Sequence, residues 1–132
     1  METKETLREK LREIEEEEFR QAVENEYPAF KAMEGKCFKT QNCYSSPKKK
    51  SDYWPLYVKI QSIKKEDLYL SVNNEILAQF KGISFQTDNL GRTHVIPNYE
   101  GYVHSLEANS EISPEEFNYA WSKLLLNLSK ML

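Results

Sequence analysis

The sequence has little glycine, cysteine or histidine, and it has no long apolar run. Its four glycines are scattered, so it contains no phosphate-binding loop, no Gly-x-Ser-x-Gly turn and no Gly-x-Gly-x-x-Gly motif. No stretch approaches the roughly 18 apolar residues that a membrane-spanning helix needs, and the first residues lack the apolar segment of a secretory signal. We therefore expect a cytoplasmic protein that does not engage a membrane.

The cysteines and histidines do not have the spacing of a metal site. Cys37 and Cys43 do not form a Cys-x-x-Cys pair, and no second pair completes a zinc site. His94 and His104 lie ten residues apart, outside any metal-binding spacing. We expect reduced, half-buried cysteines, with a redox or metal role as the alternative. We also expect no metal, no cofactor and no enzymatic activity.

Charge is distributed unevenly along the chain. Residues 1–34 carry six basic and eleven acidic side chains, whereas residues 35–110 carry ten basic and seven acidic ones. A duplex-DNA binder concentrates positive charge on one face. An acidic segment followed by a mildly basic one does not fit that class of protein.

The pattern of residues 6–26 predicts an acidic N-terminal helix. Thr6 is followed three residues later by Glu9, which is the spacing of a capping box. The helix is expected to end or kink at Pro28. Glutamates at 15–18 are interpreted as a solvated face.

The first half of this helix carries a narrow apolar stripe. Leu7, Leu11 and Ile14 recur at spacings of four and three residues, and Glu18 breaks the repeat. Such a stripe can pair with a second copy over two or three turns. A homodimer through this helix or through the sheet is therefore a hypothesis.

Residues 53–63 give the clearest strand. Trp54, Val58 and Ile60 alternate with Tyr57 and Lys59, which predicts one buried and one exposed face. We expect Tyr57, on the face opposite Trp54, to lie outside the core. Further strands are predicted at 36–40, at 68–72 as the hairpin partner of 53–63, at 76–86 with a bulge near Gly82, and at 92–96.

The C-terminal segment predicts an amphipathic helix. Ser113 is placed as the N-cap, Pro114 as the first helical residue and Glu116 as the capping-box acid. The apolar face that follows is expected to cover the buried face of the sheet; its residues are Phe117, Trp121, Leu124, Leu128 and Met131.

These elements predict an α+β fold. An acidic helical arm at 1–34 precedes a single domain at 35–132, in which an antiparallel sheet of four to five strands packs against the C-terminal helix. The sheet either curls into a small SH3-like barrel or stays open.

Aromatic and basic residues near two loops suggest a binding surface. Tyr44, Tyr53, Trp54 and Tyr57 surround the loop 45–51, and aromatic faces beside cations bind bases, nucleotides and protein partners. A hairpin tip follows at 87–91. The predicted binding residues are Tyr44, Lys48, Tyr53, Tyr57, Gln86, Asp88 and Arg92. The alternative is structural, with aromatics half-covered by the first helix, a solvated lysine loop and ordinary turn residues.

Several short motifs resemble small proteins of phages and prophages of Gram-positive bacteria. They are GKCFK at 35–39, NCYS at 42–45, SDYW at 51–54, FQTD at 85–88 and FxxAWxxLL at 117–125. The resemblance covers about residues 35–128 and implies an accessory protein of a mobile element, acting in the host cell cytoplasm. It implies antagonism of host defence, by binding a defence protein or by sequestering a signalling nucleotide. The alternative is a small-barrel nucleic-acid-binding module.

Overall fold

The computed structural model describes residues 3–131, which form two α-helices and six strands. The α+β class is thereby confirmed. The elements are α1 (Lys4–Lys31), β1 (Cys37–Cys43), β2 (Tyr53–Ser62), β3 (Leu68–Leu70), β4 (Ile76–Thr87), β5 (Thr93–Tyr102), β6 (Glu111–Ile112) and α2 (Pro114–Lys130).

All six described strands belong to one antiparallel sheet. The pairing order is β3-β4-β2-β1-β6, and β5 also pairs with β4, along the edge opposite β2. The sheet is open, so the SH3-like barrel does not form. It also has more strands than the four to five predicted, because β3 and β6 are very short and leave little pattern in the sequence.

The partner of β3 differs from the predicted one. Residues 68–72 were expected to pair with 53–63, but Leu68–Leu70 pairs with the first part of β4. The turn between Ser71 and Glu75 explains this, because the Ser71 N–H donates to the Glu75 carbonyl (2.8 Å) and Asn74 takes a positive φ of 60°. β4 is long enough to pair with β3 through its first three residues and with β2 through residues 81–86.

The predicted bulge lies at Gly82. The register of β4 against β5 shifts between Gly82 and Ser84, and the register against β2 shifts between Ile60 and Ser62. A Cβ atom at position 82 would overlap the backbone carbonyl oxygen of Lys59. Glycine is therefore required here by the close approach of two backbones.

Helix α1 is longer at both ends than the predicted 6–26. It begins at Lys4, and its N-cap is Thr3, whose Oγ1 accepts from the Thr6 N–H (3.2 Å); the capping box at Thr6 was a wrong prediction. It continues through Pro28 to Lys31. A proline close to the C-terminal end removes only one helical hydrogen bond, so the helix does not stop there.

The last turns of α1 pack on one face of the sheet. Val23, Tyr27 and Phe30 of the helix, with Met33 in the turn that follows it, contact a cluster of buried side chains, namely Phe38, Val58, Ile60, Ile63, Leu68, Ala78, Phe80 and Val103. The Tyr27 hydroxyl also donates to the Ile63 carbonyl (3.0 Å). The second half of α1 is thus joined to the sheet, whereas residues 7–18 are exposed.

Helix α2 packs on the opposite face. Ser113 caps it as predicted, accepting from the Glu116 N–H (3.1 Å). Its buried Phe117 and Leu124 contact Cys37 and Phe85, with Trp121 and Leu128 also against this cluster. The expectation that α2 covers the face of Val58 and Ile60 was wrong, because α1 already occupies that face. The centre of the sheet is therefore covered on both sides.

Neither helix within residues 3–131 combines the length and the apolar composition that spanning a lipid bilayer requires.

Candidate binding site

Asp88 organises the loop between β4 and β5. Its Oδ1 accepts from the N–H groups of Leu90 (3.0 Å) and Arg92 (2.9 Å), and Gly91 supplies the positive φ of 79° that the turn needs. Its Oδ2 accepts from Arg92 Nε (2.9 Å) and lies 3.2 Å from His94 Nε2. The carboxylate thus fixes the loop backbone and two cationic or titratable side chains.

The protonation of Asp88 follows from these contacts. Burial by itself would raise the pKa of the carboxyl group, but the hydrogen bonds from Arg92, His94 and Leu90 outweigh it and lower the pKa to about 2. The Asp88 side chain is only 5% exposed, whereas those of Arg92 and His94 are 63% and 49% exposed. The negative charge points inward and the basic groups face solvent.

Gln86 connects three strands beside this loop. Its Oε1 accepts from Asn42 Nδ2 (2.9 Å) on β1 and from Trp54 Nε1 (2.6 Å) on β2. On β5, His94 lies directly opposite Gln86. The orientation of the Trp54 indole is therefore set by a hydrogen bond to a half-buried amide rather than by packing alone.

Tyr44 joins the end of β1 to the hairpin tip. Its hydroxyl donates to Asn89 Oδ1 (2.7 Å), and its ring meets the Trp54 ring edge-on with 5.5 Å between centroids. We name the whole group the hairpin-end site; it comprises Asn42, Tyr44, Trp54, Gln86, Asp88, Arg92 and His94.

Two recesses open on either side of Trp54. The first, of about 450 Å³, lies toward β5 and is lined in part by Gln86, His94 and Ile96. The second, of about 660 Å³, lies toward β1 and is lined in part by Lys50 and Tyr53. Because alternate residues of a strand share a face, Trp54 lies on the same face as Val58 and Ile60. The site is the part of that face beyond the hydrophobic cluster under α1.

The structure brings four of the seven predicted residues together in the hairpin-end site: Tyr44, Gln86, Asp88 and Arg92. Tyr53 lines the second recess nearby. Lys48 lies in the preceding loop, where its backbone N–H and that of Lys49 donate to Asp52 (2.9 and 3.2 Å).

Tyr57 does not join this group. It stacks on Phe85 with 4.9 Å between ring centroids, within the cluster under α2. The prediction that it lies outside the core and clusters with the loop aromatics was wrong, because α2 covers the face of the sheet opposite Trp54. The Lys39 Nζ lies over the Tyr57 ring, 5.8 Å from its centroid.

Sequence reasoning did not include Asn42, Trp54 and His94 among the binding residues. Trp54 was counted among the aromatic residues around the loop 45–51 but was assigned to the buried face of its strand, and His94 was considered as a metal ligand rather than as a binding residue. Their cooperation depends on strand register, which pairs Asn42 with Trp54 and Gln86 with His94. The register between strands that are distant in sequence cannot be inferred from the residue type at any one of these positions.

The site does not resemble a metal centre. Within residues 3–131, no group of three or more histidine, cysteine or acidic side chains is arranged to hold a metal ion. Both cysteines are free, and burial raises the pKa of the Cys37 thiol.

No protein-family model, curated protein sequence or solved structure matches this chain.

Proposed function

We propose that this chain is a non-enzymatic binding protein that uses the hairpin-end site to hold a partner carrying an anionic group next to a flat or apolar surface. The observation that carries the proposal is the position of Trp54 between two recesses, with basic side chains around it. Tryptophan, tyrosine and arginine are the residues that contribute most to binding energy at interfaces.

The charge arrangement supports an anionic partner. The two carboxylates near the site, Asp52 and Asp88, are satisfied by hydrogen bonds from their own loops. The Arg92 guanidinium uses its Nε for Asp88 and is largely exposed, so its remaining N–H groups can bind a carboxylate or a phosphate. The lysines at 48–50 are exposed as well.

The same contacts support binding rather than catalysis. Nε2 of His94 faces the Asp88 carboxylate, and both oxygens of that carboxylate accept hydrogen bonds from groups in the loop. These groups hold one another in place, as expected of a rigid recognition surface.

The resemblance to phage and prophage proteins suggests the target class. On that basis the partner is a host defence protein or a signalling nucleotide, and the chain acts in the host cytoplasm by occupying it. Either target supplies the anionic group that the exposed cations favour.

The test is native mass spectrometry of protein purified from bacterial cells, followed by calorimetric titration with a panel of nucleoside phosphates and cyclic dinucleotides. A nucleotide target predicts a retained adduct that Trp54→Ala removes, with at least tenfold weaker binding in that variant. Tyr119→Ala, a change of an exposed aromatic on α2 that lines neither of the two recesses beside Trp54, is the control and should bind normally.

A protein target predicts no adduct and a stable complex with a host defence protein. That complex should be lost with Trp54→Ala and Arg92→Ala and kept with Tyr119→Ala. If neither Trp54→Ala nor Arg92→Ala weakens the binding of any partner, the hairpin-end site is excluded as the recognition surface.

Nucleic acid is the second candidate, favoured by the position of the lysine loop beside the exposed Tyr44 and Tyr53. The open sheet removes the barrel part of that hypothesis, but stacking and phosphate contacts do not require a barrel. Titration with a single-stranded oligonucleotide at several salt concentrations decides it, because nucleic-acid affinity falls steeply with salt. A flat salt dependence argues against this candidate.

A further inference from the structure

The first half of α1 exposes an apolar stripe. Leu7, Leu11 and Ile14 are 53%, 56% and 55% exposed, so each large aliphatic side chain presents about half of its surface to solvent. Their spacing of four and three residues places them on one side of the helix. No described part of the chain covers this side.

An apolar recess lies beside the following turns of the same helix. It has a volume of about 520 Å³ and lies between α1 and the β3–β4 hairpin. Phe19, Leu70 and Ile76 contribute its apolar lining, and Glu15 and Glu18 lie on its α1 side. The apolar stripe and the α1 side of the recess therefore lie on successive turns of the same helix.

We propose that a second copy of this chain occupies both, with the two α1 helices antiparallel. Leu11 of each copy lies opposite Ile14 of the other. Leu7 then reaches the level of Glu18 in the second copy, at the mouth of the recess. The contact is isologous, so the stripe of each copy meets the recess of the other and the assembly closes as a dimer.

Charge complementarity selects the antiparallel orientation. Residues 4–12 carry four basic and two acidic side chains, whereas 13–18 carry five acidic and no basic ones. Antiparallel helices place the basic segment of each copy beside the acidic segment of the other. Parallel helices would place the two acidic segments side by side, which is repulsive.

The register follows from the side chains that flank the stripe. With Leu11 opposite Ile14, the heptad pattern brings Arg8 of each copy next to Glu15 of the other, so this ion pair forms twice. The neighbouring register, with Leu7 opposite Leu11, would instead bring the two Arg8 side chains together.

Ion pairs within the helix are compatible with this arrangement. Arg12 lies 4.0 Å from Glu16, and Arg20 lies 2.7 Å from Glu17. Neither pair uses Arg8 or Glu15, and both join exposed side chains along one helix.

The first measurement is sedimentation velocity of the full chain over a range of concentrations. The contact spans only about three helical turns, so we expect a dimer with a Kd of roughly 10–100 µM. Leu11→Glu should weaken it at least tenfold. Leu126→Glu is the matched control, because Leu126 on the outer side of α2 is 55% exposed, and it should leave the dimer unchanged. A monomeric wild-type chain at several hundred micromolar, or a dimer that survives Leu11→Glu, overturns the proposal.

The orientation is tested by exchanging charges. Arg8→Glu and Glu15→Arg should each weaken the dimer several-fold, and the double variant should recover it. Glu9→Arg reverses a charge on the other side of the helix and should have little effect. Loss of the dimer in the double variant, or an equal loss in Glu9→Arg, contradicts the antiparallel register. Circular dichroism of each variant reports whether α1 remains helical.

Discussion

At Asp88, one carboxylate takes four hydrogen bonds and thereby fixes a loop, an arginine and a histidine. The arrangement has a measurable consequence because it depends on the ionised form. The folded-state pKa is lowered to about 2, so the stabilisation is present above the ordinary pKa near 4 and is lost as the pH falls through 2.

Asp88→Asn should therefore lower the free energy of unfolding at pH 7, and its difference from wild type should shrink as the pH falls from about 4 to 2. Urea unfolding at pH 7, 5 and 3 measures this. Glu100→Gln, at an exposed carboxylate on β5, should show no such change. An Asp88→Asn effect that is constant with pH would show that the carboxylate charge is not what stabilises the loop.

The close approach of the Lys59 backbone leaves no room for a side chain at position 82. A methyl group there meets the Lys59 carbonyl, so Gly82→Ala must separate β4 from β2. We expect a loss of about 1–3 kcal/mol in urea unfolding, the range of overpacked sites. Ser62→Ala, at a half-buried position of β2 beside the other register shift, is a suitable comparison and should cost less.

At the scale of elements, α2 could be predicted and the pairing of β3 could not. A helix start depends on neighbours in the chain, and Ser113, Pro114 and Glu116 specify it locally. Strand pairing depends on which distant segment is available, and the tight turn after β3 decided it. Tyr57 shows the same limit, because alternation reveals that a strand has two faces but not that a helix covers each.

The contribution of α2 can be measured with two neighbouring leucines. Leu124→Ala removes a buried side chain from the cluster with Phe85 and should cost about 2–5 kcal/mol. Leu126→Ala changes an exposed side chain and should stay within about 0.5 kcal/mol. If Leu124→Ala and Leu126→Ala lowered the free energy of unfolding by similar amounts, α2 would not pack on the sheet through the face that carries Leu124.

The cap of the same helix gives a smaller and independent effect. Ser113→Ala removes the acceptor for the Glu116 N–H and should cost about 1 kcal/mol. Ser122→Ala, in the exposed middle of α2, should be neutral or slightly stabilising because alanine favours helix interiors. Thermal unfolding followed by circular dichroism compares the two.

At the scale of the whole molecule, the two helices have different roles. α2 is joined to the sheet along its length, whereas α1 is joined only through its second half. The candidate site lies on the α1 side of the sheet and combines residues from β1, β2, β4 and β5. The sequence pattern predicted the types of residue in this site and the two loops beside it, but only the assembled sheet shows that Trp54 is the centre of the site.

Removal of residues 1–14 separates folding from association. The truncated chain should keep the midpoint of thermal unfolding of the monomer, because residues 7–14 are exposed. If the dimer forms, the wild-type midpoint rises with protein concentration, and the truncated chain should lose that dependence. A large drop in the midpoint at low concentration would mean that this segment stabilises the domain itself.

The outer edge of β5 has one more consequence, for aggregation. No strand within residues 3–131 pairs with that edge, and such an edge can recruit other chains. Pro97 lies in the strand, at the place where the register against β4 shifts, and it has no N–H to offer an incoming strand. The exposed Val95 and Ile96 are thus followed by a residue that stops growth of the sheet. Replacing Pro97 by valine would leave the fold intact and make the chain prone to form insoluble aggregates at high expression.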